Sequence, residues 1–179
     1  MDKQEIRRKM TDLLKESTGP APAVVADRLC GLSEYKKSSI ILAYVPLKSE
    51  IDISSFIDRA LSDGKTVAFP DEKPGVFRVA DKAWREKLTV LENRTKTLKD
   101  SPILDMDKGK ALVLVPGLSF TKEGQRLGRG AGYYDRALDL LKTAGFEELT
   151  TIGICRKVQI VDELPCQAHD RKVDAVISF

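Results

Sequence analysis

Apolar side chains recur along this chain at two different spacings, and these spacings alternate from the N-terminus onward. Ile6, Met10, Leu13 and Leu14 are spaced as on one face of a helix, so they predict an amphipathic helix over residues 2–17. Runs such as 111–115 are apolar throughout, which is typical of strands that are buried on both faces. The pattern therefore alternates between helices and buried strands.

The remaining elements are predicted in the same way. Pro22 can open a second helix that extends to about Gly31, and further helices are predicted over residues 54–62 and 132–143. Predicted strands cover residues 39–45, 66–69, 76–80, 111–115, 151–154 and 172–178. This alternation predicts an α/β three-layer sandwich with a largely parallel central sheet and helices on both faces. A chain of 179 residues is expected to form a single domain over residues 1–179.

Composition and charge exclude several classes of protein. The net charge of +3 is too small to indicate a nucleic-acid partner, and no apolar run is long enough to cross a membrane. Cys30, Cys155 and Cys166 are widely spaced and form no Cys-x-x-Cys pair, so they predict free thiols. His169 is the only histidine, which argues against a histidine metal site or a serine–histidine triad. With no signal peptide in the charged first fifteen residues, we expect a cytoplasmic protein.

The most informative segment is residues 116–135, which read PGLSFTKEGQRLGRGAGYYD between a predicted strand and a predicted helix. Glycines let backbone amides approach an anion, and the N-terminus of a helix attracts negative charge. Arg126 and Arg129 add forked cationic donors that suit phosphate, the alternative being solvated loop charges. The spacing fits neither a dinucleotide fingerprint nor a Walker A loop. It predicts a phosphate-binding loop of another type, with a glycine-rich surface turn as the alternative.

This segment closely resembles the signature of the 5-formyltetrahydrofolate cyclo-ligase family. Weaker landmarks of that family occur in its order along nearly the whole chain. They are Lys3 and Arg7, Ser49-Glu50-Ile51-Asp52, Pro70, and His169-Asp170-x-x-Val173-Asp174. The chain departs from the family pattern at Ser101-Pro102, where many members have Glu-Pro, and at Thr121, where an aspartate is usual.

The resemblance implies an ATP-dependent ring closure. The formyl oxygen of 5-formyltetrahydrofolate attacks the γ-phosphate of Mg–ATP, and nitrogen 10 then displaces phosphate to give 5,10-methenyltetrahydrofolate. Such chemistry requires positioning and charge neutralisation more than a nucleophilic side chain. The implied partners are ATP and a reduced folate with Mg²⁺, and we expect a monomer that binds neither nucleic acid nor membrane. A non-catalytic protein that binds a nucleotide, a sugar phosphate or folate is the alternative.

The resemblance also implies roles for particular residues. ATP binding is assigned to Lys3, Arg7, Arg126, Leu127, Gly128, Arg129, Gly130, Ala131, Gly132, Tyr133 and Tyr134. Folate binding is assigned to Val45, Glu50, Arg129, Gly130, Ala131, Gly132 and Tyr133, and catalysis to Arg129 and Tyr133. Asp135 and Asp170 are the expected magnesium ligands, although Asp135 alone also suits a helix cap. Because Asp170 precedes the last strand, physical reasoning alone allows it to lie at the opposite edge of the sheet.

Overall fold

The structure is a computed structural model that describes residues 2–91 and 95–179. Within these residues the helices are α1 (Lys3–Glu16), α2 (Pro22–Cys30), α3 (Ser33–Lys37), α4 (Ser54–Ser62) and α5 (Tyr133–Lys142). The strands are β1 (Ile40–Leu42), β2 (Thr66–Pro70), β3 (Phe77–Val79), β4 (Thr89–Val90), β5 (Lys96–Thr97), β6 (Lys110–Pro116), β7 (Ser119–Phe120), β8 (Arg126–Leu127), β9 (Glu148–Cys155) and β10 (Ala175–Ser178). A short 3₁₀ helix covers Lys157–Gln159.

The central sheet has the strand order β10-β9-β6-β1-β2-β3. Its neighbouring strands are parallel except β3, which runs antiparallel to β2 at the sheet edge. Ile40 of β1 pairs with Thr66 of β2 on one side and with Ala111 of β6 on the other. The chain therefore winds outward in both directions from β1 and β6. Such a switch point opens a crevice beyond the carboxyl ends of the strands, where ligands bind in this class of fold.

Successive side chains along the strands enter two separate cores. Ile41 and Leu112 pack in the same cluster as the apolar residues of α2 and α4, whereas Leu42 and Val113 pack with Leu138 of α5. Both faces of the sheet are therefore covered by helices, which confirms the predicted three-layer arrangement. It also explains why these strands are apolar at every position rather than at alternate ones.

Helix α1 belongs to neither of these cores. Its apolar stripe of Ile6, Met10 and Leu14 packs in a third cluster with Leu118, Leu127 and Leu164. Two of these partners lie in the segment between β6 and α5, so α1 covers the glycine-rich segment rather than the sheet. No helix within residues 2–91 and 95–179 has the length and apolar character needed to cross a bilayer.

The predicted helices α1, α2, α4 and α5 are confirmed, whereas several boundaries differ from the prediction. The first strand ends at Leu42 instead of residue 45, because the chain there leaves the ladder to form the wall of a cavity. The last strand begins at Ala175 instead of residue 172, since Asp174 contacts Thr151 of β9 through its carboxylate, at 2.8 Å from the backbone nitrogen. The segment predicted as one long loop contains the β7–β8 hairpin.

Candidate active site

A cavity of about 530 Å³ lies at the switch point of the sheet. Its wall comes from the segments that follow β1 and β2, from the start of α1 and from residues 167–170. The glycine-rich segment, residues 116–135, which leads from the end of β6 to α5, also contributes to the wall. Each residue to which the sequence analysis assigned ATP, folate or magnesium contributes to this wall. These assigned residues, from four separate parts of the chain, are thus brought to one place.

The glycine-rich segment is shaped by backbone conformations that other residues rarely adopt. Gly130 and Gly132 have φ angles of 111° and 63°, in the left-handed region that favours glycine. Gly132 is the cap residue of α5, and within the described structure no side chain caps that helix. The N–H groups of the first turn therefore remain available to an anion from the cavity.

Arg126 is a buried cation rather than a solvated loop charge. Its side chain in β8 is only 3% exposed, and Nη2 donates to Asp135 Oδ1 at 2.9 Å. Asp135 Oδ1 also accepts the backbone N–H of Arg171, at 3.2 Å. The carboxylate of Asp135 therefore binds an arginine and a neighbouring segment instead of capping α5. This contact removes the helix-cap interpretation of Asp135.

Helix α1 supplies two further cations to the cavity. Lys3 Nζ lies 2.5 Å from Asp170 Oδ2, and Arg7 Nε donates to the carbonyl oxygen of Gly128 at 2.9 Å. Burial disfavours the charged form of Asp170, but hydrogen bonds from Lys3 and the Gln167 backbone outweigh it and lower the pKa of this carboxyl. The backbone N–H of Arg171, the residue after Asp170, donates to Asp135. The two acids therefore lie at the same edge of the sheet.

Glu50 is a buried carboxylate on the wall of the same cavity. Its side chain is 12% exposed and accepts the Leu47 backbone N–H at 3.0 Å. Burial raises the pKa of Glu50, although the Leu47 hydrogen bond and the charge of Arg129 oppose the shift. Arg129 Nε lies 3.7 Å from Glu50 Oε1, and Arg129 Nη2 donates to Ser49 Oγ at 2.6 Å. Arg129 thus connects the glycine-rich segment with the turn after β1.

The adjacent tyrosines at the start of α5 make different contacts, as helical geometry requires. Tyr133 donates its hydroxyl to the carbonyl oxygen of Asp71 at 2.9 Å. Tyr134 packs against the apolar core under α5, and its ring centre is 5.7 Å from the guanidinium carbon of Arg126. Burial raises the pKa of both phenols, so each is a neutral hydrogen-bond donor at physiological pH.

Some cavity residues were not predicted from the sequence. Tyr44 is the second residue after β1 and donates its hydroxyl to the Ile51 carbonyl oxygen at 3.0 Å, while Asp71 follows β2 directly. Both positions lie just beyond the carboxyl end of a parallel strand, and that placement was an available signal. Lys96 comes from the separate β4–β5 hairpin, and no local sequence pattern marks it as a cavity residue.

Comparison with known proteins agrees with this geometry. The model of the 5-formyltetrahydrofolate cyclo-ligase family matches residues 1–178. The chain belongs to this family. A probable 5-formyltetrahydrofolate cyclo-ligase of Caenorhabditis elegans is 28% identical over 98% of this chain and 91% of its own length. The corresponding Schizosaccharomyces pombe protein, also named as probable, is 27% identical over 86% and 81%.

Solved structures of similar proteins share the fold of this cyclo-ligase family member. The NMR structure of Aquifex aeolicus 5,10-methenyltetrahydrofolate synthetase is 25% identical, with a TM-score of 0.79 over 99% of this chain and 90% of that chain. A Mycoplasma pneumoniae 5,10-methenyltetrahydrofolate synthetase, 21% identical with a TM-score of 0.70, has the same fold.

Asp135 and Asp170 form a donor set that suits a magnesium–nucleotide complex. Within residues 2–91 and 95–179, no three or more metal-binding side chains converge into a complete metal site. Mg²⁺, however, is usually held by one or two carboxylates together with substrate phosphates and water, so the number of acids in this cavity is compatible with it. Each carboxylate has a cationic partner in the cavity wall, Arg126 for Asp135 and Lys3 for Asp170.

We expect Glu50→Gln to stabilise the protein at neutral pH. Because the pKa of Glu50 is raised in the folded state, its ionisation destabilises the fold as pH rises through the unfolded and then the folded pKa. The urea midpoint of the variant should therefore exceed that of the wild type at about pH 8, and the two should converge at about pH 4. Exposed Glu123→Gln is the control and should change little at either pH. Equal urea midpoints of variant and wild type at about pH 8 would contradict the conclusion that burial outweighs the contacts with Leu47 and Arg129 at Glu50.

Proposed function

We propose that this protein catalyses the ATP-dependent conversion of 5-formyltetrahydrofolate to 5,10-methenyltetrahydrofolate, with release of ADP and phosphate. The observation that carries the proposal is the shared cavity. A cationic glycine-rich segment and the buried carboxylate of Glu50 contribute to one wall, connected by Arg129. The family membership of residues 1–178 supports the same reaction.

The glycine-rich side of the cavity suits the triphosphate of ATP. Lys3, Arg7, Arg126 and Arg129 supply four positive charges, and the uncapped N-terminus of α5 adds backbone donors. Preorganised donors of this kind stabilise charge as it develops on a transferring phosphoryl group. Asp135 and Asp170 would hold Mg²⁺, which supplies further neutralisation of phosphate charge when it is bound.

The side of the cavity around Glu50 suits a reduced pterin. A pterin ring presents ring N–H and amino donors, which complement a carboxylate. Because Glu50 is removed from water, a hydrogen bond that it accepts is stronger than the same bond in solvent. Val45 and Tyr44 provide an apolar wall beside it. We therefore propose that Glu50 orients the folate ring within this cavity.

The proposed reaction divides into two displacements. The formyl oxygen attacks the γ-phosphorus and forms a P–O bond while the bond to ADP breaks. Nitrogen 10 then attacks the former formyl carbon, loses its proton, and phosphate leaves with the formyl oxygen. Arg129 reaches from the phosphate side towards Glu50, so it can neutralise charge on the transferred group in both steps. Tyr133 lies on the same wall, and its hydroxyl, which donates to the Asp71 carbonyl oxygen, can accept a hydrogen bond that orients the reacting groups.

We further propose that the protein functions as a monomer in the cytoplasm. The cavity wall described above brings together residues of one chain, which supports a monomeric site. Cys30, Cys155 and Cys166 are free thiols, as is usual in a reducing compartment.

Purified protein should convert 5-formyltetrahydrofolate to the methenyl form only when ATP and Mg²⁺ are both present, because the formyl oxygen must be phosphorylated before it can leave. The absorbance of the methenyl product measures the reaction directly. A folded protein that binds ATP and folate without forming product would favour the non-catalytic alternative. Product without ATP would contradict the proposed mechanism.

Arg129→Ala should lower turnover by roughly 10²-fold, comparable to the loss of one preorganised donor in other active sites. The melting temperature should change little, because the ion pair of Arg129 is partly exposed and contributes little to folding. Arg59→Ala is the matched control, since Arg59 is an exposed arginine of α4 that pairs with Asp27 away from the cavity. Turnover of Arg129→Ala within about threefold of wild type would make this residue a solvated charge.

Asp135→Asn and Asp170→Asn should each raise the Mg²⁺ concentration that half-maximal turnover requires, because each removes one charged oxygen ligand. Binding of folate without metal should be nearly unchanged. Asp139→Asn is the control, since Asp139 lies one turn further along α5 and pairs with Arg171 on the surface. Magnesium titrations that overlay the wild type would remove the metal assignment and leave the two acids as partners of Arg126 and Lys3.

A further inference from the structure

The end of α1 that lies away from the cavity is held by a buried arginine. Arg156, which follows β9, is only 7% exposed. Its Nη1 atom donates to the carbonyl oxygens of Leu14 and Ser17, at 3.1 and 2.6 Å, and to Ser17 Oγ at 2.7 Å. One guanidinium nitrogen therefore contacts three acceptors at the C-terminus of the helix.

These contacts suit the chemistry of a helix end. The last carbonyl groups of a helix have no partners within it, and the C-terminus carries partial negative charge. A guanidinium group carries positive charge and has only hydrogen-bond donors, so it is stabilised beside these carbonyl groups. Replacing it would leave buried carbonyl groups without their donor, which is costly.

The turn that carries Arg156 also supports the wall of the cavity. Gln159 Oε1 accepts the Arg156 backbone N–H at 2.7 Å, and Gln159 Nε2 donates to the Gly117 carbonyl oxygen at 2.8 Å. Gly117 follows β6 and lines the cavity. The Arg156–Gln159 turn thus joins α1 to the carboxyl end of a central strand.

At its other end, α1 presents Lys3 and Arg7 to the cavity. Leu14 lies eleven positions after Lys3, which corresponds to about 16 Å along a helix axis. Because a helix moves as a stiff rod over this length, a tilt at Leu14 displaces the two cations. Between its ends, α1 is held by a small apolar cluster that belongs to neither face of the sheet.

We propose that Arg156 is a positioning residue for ATP: it anchors the C-terminus of α1 so that Lys3 and Arg7 remain in the phosphate part of the cavity. Arg156 itself is not among the residues that line the described cavity, so it is not placed to contact either substrate. This inference rests on the proposed function, because it assigns ATP to the side of the cavity that α1 covers. It predicts a specific loss of ATP binding from a substitution far from the phosphates.

The test compares Arg156→Met, which removes the charge but keeps much of the length, with Arg156→Lys, which keeps a cationic donor. If α1 remains docked in only about a tenth of the molecules, the dissociation constant for ATP should rise about tenfold. The dissociation constant for 5-formyltetrahydrofolate should stay within about twofold, and Arg156→Lys should restore part of the loss. Calorimetric titration of each ligand measures both constants without requiring turnover.

Arg28→Met is the matched control. Arg28 also binds a backbone carbonyl of the C-terminal segment, with Nη1 2.7 Å from the Ser178 oxygen, but it belongs to α2, which contributes no residue to the described cavity wall. This variant should leave both ligand affinities unchanged. Equal weakening of ATP and folate in Arg156→Met would reduce Arg156 to a purely structural residue and overturn the proposal.

A double-mutant cycle tests whether Arg156 acts through the cations of α1. In a Lys3→Ala/Arg7→Ala background, Arg156→Met should weaken ATP binding by no more than about twofold, because the groups that it positions are gone. A further tenfold loss in that background would show an independent effect and contradict the proposal.

Hydrogen exchange separates this inference from the proposed reaction. Amides of α1 should exchange faster in Arg156→Met, whereas those of β6 and β9 should not, even if the wild type forms no methenyl product. If Arg156→Met does not fold, Ser17→Ala removes one of the three acceptors and should show the same pattern more weakly. Unchanged exchange of α1 in a folded variant would overturn the proposal.

Discussion

Strand β1 pairs in parallel with β2 on one side and with β6 on the other, and the rest of the site depends on this arrangement. The chain must leave the carboxyl ends of β1 and β6 in opposite directions, so a crevice opens between the segments that follow them. Glu50 enters the crevice after β1, and the glycine-rich segment enters it after β6. Because both faces of the sheet are buried under helices, this edge is where polar groups can face a ligand.

Acidic groups of the cavity wall pair with three of its cations. Arg126 is held by Asp135, Lys3 by Asp170, and Arg129 by the turn that contains Glu50. Paired charges lose less on removal from water than isolated ones, so the wall can hold several cations close together. A bound triphosphate would then compete with the acids for the same cations, and a metal ion between acid and phosphate would relieve the repulsion between them.

Helix α1 differs from the other long helices because it packs against the cavity wall rather than against the sheet. Its apolar stripe packs on Leu118 and Leu127 of the glycine-rich segment, and its N-terminus supplies Lys3 and Arg7. At the N-terminal end of the helix Lys3 binds Asp170, and at its C-terminal end Leu14 is bound by Arg156. Both contacts connect the helix to the C-terminal part of the chain. The proposed ATP site therefore includes a helix that contributes little to the main core.

The sequence by itself determined the alternation of helices and buried strands, the position of the glycine-rich segment and many of the residues that line the cavity, but not Tyr44, Asp71 or Lys96. The elements and the glycine-rich segment depend on local periodicity and on a motif of about twenty residues, whereas the more distant site residues Lys3, Arg7, Glu50 and Asp170 were assigned through the family resemblance. Only the tertiary structure decided that Asp135 binds Arg126 instead of capping α5, that Asp170 lies on the same side of the sheet as Asp135, and that Arg156 holds α1. The physical reason is distance along the chain: Lys3 and Asp170 are 167 residues apart and Arg156 and Leu14 are 142 apart, so their contacts exist only after the sheet has brought those segments together.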